Sequence, residues 1–202
     1  MNAGEIITEL RKHMPFTIFG AGTGILIMAF SRWMSSDIML NVFYVLHPMH
    51  VVLSALVTAS LYRFHECGTD GSSATTRRCS FWVLLLIGYF GSIGIATLSD
   101  SVIPFLAETI LGLPNREIHL GFIEKWWLIN PLAVAGVLFA YLKPNTKFPH
   151  AGHVLLSTWA SLFHIMMALG AAISIINYLG IFVFLFLAVW LPCCLSDIVF
   201  PL

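Results

Sequence analysis

Apolar residues run along this chain in long blocks, broken by short, densely polar stretches. Six blocks stand out, at about 16–30, 38–62, 81–98, 126–142, 154–175 and 179–202. Their lengths bracket the roughly 20 residues that an α-helix needs to cross a hydrocarbon core. The stretch RFHECGTDGSSATTRRCS parts the second block from the third, EIHLGFIEKWW the third from the fourth, and KPNTKFP the fourth from the fifth. INYLG is a weaker break between the fifth and sixth. Residues 101–113, SVIPFLAETILGL, are apolar but short, and read as an interfacial or re-entrant piece. The pattern predicts an all-α integral membrane protein, a single transmembrane domain over residues 1–202 with about six transmembrane helices. Gly20 and Gly24, four apart in the first block, mark a close-packing face. Trp126 and Trp127 read as part of an interfacial belt.

Two short motifs recur. HPMHVVLS at 47–54 returns as HAGHVLLS at 150–157, with five of eight positions identical. LSDSVIP at 98–104 returns as LSDIVFP at 195–201, with five of seven identical. The same order at similar separation points to an internal duplication, repeat 1 over about 14–107 and repeat 2 over about 126–202. Each repeat holds three spans. An odd number of spans reverses direction, so the second repeat enters the membrane from the opposite side, an inverted-topology arrangement known in transporters.

Composition agrees with the pattern. The chain is 58% hydrophobic and 10% charged, against about 25% charged in soluble domains. Lys plus Arg equals Asp plus Glu, ten each, so no basic surface for nucleic acid is expected. The N-terminal segment has acidic residues and lacks a cleavage pattern, so the first block is expected to be retained as a span. With six spans, Arg11, Lys12, Arg63, Arg77, Arg78, Lys143 and Lys147 fall on one side, and Arg32, Arg116 and Lys125 on the other. Positive charge collects in the cytoplasm, which places both termini there. Cys67 and Cys79 then lie in a cytoplasmic loop as reduced thiols.

The repeated polar residues carry the candidate chemistry. Histidines three apart share a helix face, and an aspartate from the next helix would add a third ligand. His47, His50 and Asp100 form one expected site, and His150, His153 and Asp197 a second at the opposite membrane face. Two imidazoles and a carboxylate suit a divalent transition metal, zinc or iron first, with positions left open for exchange. Ser54 and Ser157 share the histidine faces, and Ser99 and Ser196 precede the aspartates. These are expected to orient ligands or water. His164 lies three turns beyond His153 and is a candidate pathway residue. Cys194, three before Asp197, is a candidate soft ligand without a counterpart in repeat 1, where Thr97 stands. His13, His65 and His119 read as ordinary polar contacts, and Glu108 and Glu124 as solvated loop charges.

An ionisable side chain at the bilayer centre costs about 2.5–3.5 kcal/mol on insertion scales, so it requires a partner or a purpose. The expected function is a small divalent-metal transporter or channel, acting as a homo-oligomer in lipid. An intramembrane metalloenzyme acting on a lipid-embedded substrate is the alternative. A b-type haem protein follows behind, because paired histidines on one helix suit a small ion better than two faces of a haem. A relay moving protons through His and Asp, and a polar network that only pins the halves together, complete the readings.

Overall fold

A computed structural model gives the fold and describes residues 3–31, 33–66, 80–143, 147–170 and 174–199. Within these, the side chains of 3–10, 12–13, 65–66, 147–150 and 194–199 lie outside the description. Every regular element among the described residues is helical. α1 is Ala3–Ser31, α2 Ser36–Glu66 and α3 Phe81–Thr97. A π-helical turn, Leu98–Val102, joins α3 to α4, Ile103–Ile110. After it come α5, Gly121–Glu124, then α6, Trp126–Leu142, α7, Lys147–Met167, and α8, Ile175–Val199.

Among the described residues four stretches are long and apolar enough to cross a membrane: Met14–Ser31, Ser36–Phe64, Phe81–Ile110 and Ile175–Cys193. α6 is apolar over 17 residues. Large apolar side chains point outward on these helices, among them Phe19, Leu26, Phe90, Leu142 and Leu179. Such a surface suits lipid rather than water.

The helix carrying α3 corrects one expectation. Residues 101–113 do not form a separate re-entrant piece; α3 continues through the π-turn into α4, giving one apolar stretch to Ile110. The reason lies at Pro104. Its ring has no N–H and would collide with the carbonyl four residues back, which is that of Asp100. Widening the turn relieves the collision, and the Ile103 N–H bonds the Leu98 carbonyl five residues back. The sequence reads as a stop, but the wider turn carries the helix past it. Asp100 therefore sits mid-helix rather than at a helix end.

α2 and α7 form the centre. α7 runs antiparallel to α2: Gly152 lies at Leu53, His153 at His50 and His164 at Phe43. α1 packs on α7 and α8, while α6 packs on α2 and α3. Glycines permit two of these approaches. A Cβ at Gly20 would stand 2.9 Å from Thr158 Oγ1, and one at Gly136 would stand 2.5 Å from the Val52 carbonyl oxygen and 2.8 Å from Ala55 Cβ. Gly24 faces Leu185 of α8, so both glycines of the expected packing face are contact residues. Arg63 closes the far end of the α2–α6 pair by donating to the carbonyls of Ala140 and Tyr141, the exposed C-terminus of α6.

Candidate functional site: a buried histidine–aspartate seam

The centre of the bundle is polar. On α2, His47, His50, Ser54 and Thr58 are buried, stepping by three, four and four residues. On α7, His153, Ser157, Ser161 and His164 are buried, stepping by four, four and three. These spacings give each helix one polar stripe, and the antiparallel packing sets the two stripes against each other. Residues such as Phe43, Ile165 and Leu185 close the core around them.

Asp100 is the hub. The π-turn projects it, fully buried, between the stripes. Its Oδ2 lies 2.9 Å from His47 Nδ1 and 2.7 Å from His50 Nδ1. Its Oδ1 accepts from Ser99 Oγ at 2.7 Å and from Ser157 Oγ at 2.8 Å. Four donors saturate the carboxylate. Since a carboxylate only accepts, both histidines carry a proton on Nδ1 and turn Nε2 away from Asp100. His50 Nε2 is buried with no hydrogen-bond partner among the described residues. Its ring stacks on that of His153, centroids 5.8 Å apart and planes 8° from parallel. His47 stacks on Phe43, and Gly121 covers it so closely that a Cβ there would stand 2.6 Å from the ring.

The seam continues away from Asp100. Ser161 Oγ lies 2.9 Å from the Ser99 carbonyl and 2.7 Å from that of Ser157. One turn further along α7, His164 Nδ1 meets Glu108 Oε1 at 2.8 Å, and the His119 backbone N–H donates to His164 Nε2 at 3.3 Å. His119 Nδ1 then faces Glu124 Oε2 at 3.3 Å, where Tyr44 also donates. Burial alone would raise the Glu124 carboxyl. Hydrogen bonds from Tyr44, the Leu120 N–H and His119, with the charge of His119, instead hold it below the ordinary glutamate value.

Placed against the sequence reading, His47, His50, Asp100, Ser99 and Ser157 come together, and His153 joins them. Residues expected to belong to two sites at opposite membrane faces thus meet in one central cluster, because α2 and α7 cross at their histidines. Ser54 is buried on the α2 stripe. The side chains of His150, Cys194, Ser196 and Asp197 lie outside the described residues. Asp100, expected as a third ligand, instead orients the imidazoles. Among the described residues no three His, Cys, Asp or Glu side chains group as a metal site would.

The reading of Glu108 as a solvated loop charge is overturned: it is fully buried and paired with His164. The helix extension past Asp100 explains this, since it carries residue 108 into the bundle. A signal was present, for Glu108 lies eight residues after Asp100 in an apolar stretch, two turns along nearly the same face. Glu124 and His119 are likewise engaged with each other rather than with solvent alone. No known protein family model matches the chain, and comparison with characterised proteins and with solved structures finds no similar protein.

Proposed function

We propose that this protein is a membrane transporter that moves a divalent transition-metal ion, zinc or iron first, through the seam between α2 and α7. The observation that carries the reading is His50: its Nδ1 is held by Asp100 while its Nε2 is buried beside His153, without a hydrogen-bond partner among the described residues. A carboxylate that fixes one imidazole nitrogen and frees the other is the usual partner of a metal-binding histidine. Small shifts of the stacked rings would present two nitrogens to an ion, with water supplying the rest. A site of so few protein ligands exchanges its ion readily, as transport requires.

In this proposal the chain has six spans in two inverted repeats, with both termini in the cytoplasm. The packing supports it. α1 rests on α7 and α8, as α6 rests on α2 and α3. Gly20 meets Thr158 as Gly136 meets Ala55, and Thr158 and Ala55 hold the same place, five residues after the second histidine of each motif. By the sequence repeat, His150, His153 and Asp197 make up the proposed second site.

The test is metal uptake into proteoliposomes loaded with a metal-sensitive dye. His50→Ala and Asp100→Ala should each lower uptake by roughly a hundredfold or more, two decades being about 2.7 kcal/mol, while the protein still elutes as a folded species. Normal uptake in both variants sinks the proposal.

A second reading is favoured by the saturated hydrogen-bond string around Asp100, which suits a proton relay. It predicts proton flux that persists without added metal and stops in Asp100→Asn. The enzyme reading draws on an apolar groove of about 460 Å³ lined by Pro48, Met49, Val52, Leu132 and Leu156, shaped for lipid. Among the described residues no histidine lines it, so this reading has less support.

A further inference from the structure

A second pocket lies at one end of the seam, where the start of α2, the segment between α4 and α5, and the end of α7 converge. Its volume is about 220 Å³, and Asp37, Glu108, Glu117, Asn115, Ser36 and His164 are among the residues that line it. Three of these are carboxylates, and among the described residues no lysine or arginine lines the pocket.

The hydrogen bonds fix the charge at its base. His164 Nε2 accepts from the His119 backbone N–H, so that nitrogen carries no proton. The single ring proton is then on Nδ1, which donates to Glu108 Oε1. His164 is neutral in this arrangement and does not balance the Glu108 charge. The other oxygen, Oε2, is buried with no hydrogen-bond partner among the described residues, although the residue lines the pocket. A buried carboxylate with an idle oxygen and a neutral neighbour is unfavourable unless a cation or a proton answers it, and a cation can reach this one from the pocket it lines.

We infer that this pocket binds a hard cation, a partly hydrated alkali or alkaline-earth ion held directly by Glu108, with the rim carboxylates Asp37 and Glu117, which do not close with Glu108 into a metal cage, acting through its water. The donor set, mostly oxygen, favours a hard ion over a soft one. Both His164 nitrogens are engaged, and His119 turns Nδ1 to Glu124. What the pocket offers is oxygen from Glu108, Asp37, Glu117, Asn115 and Ser36, the ligand type of sodium, calcium and magnesium rather than zinc. Asp37 and Glu117 are exposed at the rim, so the ion keeps part of its water. The inference stands on the Glu108 geometry and does not depend on what the imidazole cluster carries.

The experiment is thermal unfolding of the full chain in detergent, titrated separately with sodium, calcium and magnesium chloride against choline chloride at constant ionic strength. An ion that binds only the folded state raises the unfolding temperature in a saturable way. At least one hard cation should do so in the wild type. Glu108→Gln should lose that shift, Asp37→Asn should move its midpoint to about tenfold higher concentration, and His50→Ala should keep it. No saturable shift with any of the three ions overturns the inference. Retention of the shift in Glu108→Gln, or its loss in His50→Ala, also overturns it. Where Glu108→Gln does not fold, the rim variant decides: an unchanged midpoint in Asp37→Asn refutes the site.

Discussion

Single residues in this protein do their work through the partners that fix them. Asp100 is the clearest case, since four donors from three helical segments end on its two oxygens. Ser157→Ala removes one of them. It should destabilise the protein by about 1.5–3 kcal/mol, the net worth of a buried hydrogen bond to a charged group, measured by denaturant unfolding in detergent. Glu124 gives a pH prediction with a definite sign. Its folded carboxyl titrates below 4.5, the ordinary value. The stabilisation it provides is therefore present above that value and is lost as the pH falls through the lower, folded one. The gap in unfolding temperature between wild type and Glu124→Gln should be open near neutral pH and close on acidification below about 4.5. A constant gap would show that the carboxylate is not held by its donors. Much of the residue-level site was legible: His47, His50 and Asp100 announced themselves by recurrence in apolar surroundings. Glu108 did not recur, and its burial depends on where a helix ends, which periodicity does not fix.

Elements carry the next level of consequence. The π-turn at Leu98–Val102 exists because Pro104 forbids the ordinary bond to the Asp100 carbonyl. Pro104→Ala restores the N–H and permits an α-helical turn, which would rotate Asp100 away from the histidines. The variant should still fold, trading the gain of an ordinary helical turn against the lost Asp100 hydrogen bonds, yet lose metal uptake by roughly tenfold or more. Equal uptake would separate the turn from the function. The glycine contacts yield a paired test. Gly136→Ala should destabilise by about 1–3 kcal/mol, because its Cβ would meet backbone of α2. Gly94→Ala, where a Cβ meets nothing within 4 Å, should be neutral or stabilising. The longest helices were readable from hydropathy, because helices apolar enough to cross a membrane leave long apolar runs in the sequence. The continuation of α3 into α4 was not, because a proline reads as a break unless a wider turn absorbs it.

At the scale of the whole molecule, the proposed six-span topology makes its own prediction. Tags at the two termini should be reached by a membrane-impermeant reagent from the same side, and a cysteine placed at Glu117 from the opposite side. Labelling of the two termini from different sides would remove the inverted repeat. The duplicated motifs are what suggests such a plan. What they did not reveal was that α2 and α7 would cross at the histidines and merge the expected sites. That follows from packing polar stripes against each other, the arrangement that keeps them out of lipid.

The His50–His153 stack has a consequence for descent. The two rings hold the same position in each motif and touch each other across the crossing of their helices. On the inverted-repeat proposal they lie beside the pseudo-twofold axis, where a residue meets its own counterpart. An ancestor of three helices that inserted in both orientations would have formed this contact between two identical chains, from one codon. Gene fusion would then have freed the halves to differ around it, as Ser101 against Ile198, or Pro48 against Ala151, do. A synthetic three-helix half, expressed alone and pairing with an inverted copy of itself, would recreate that beginning.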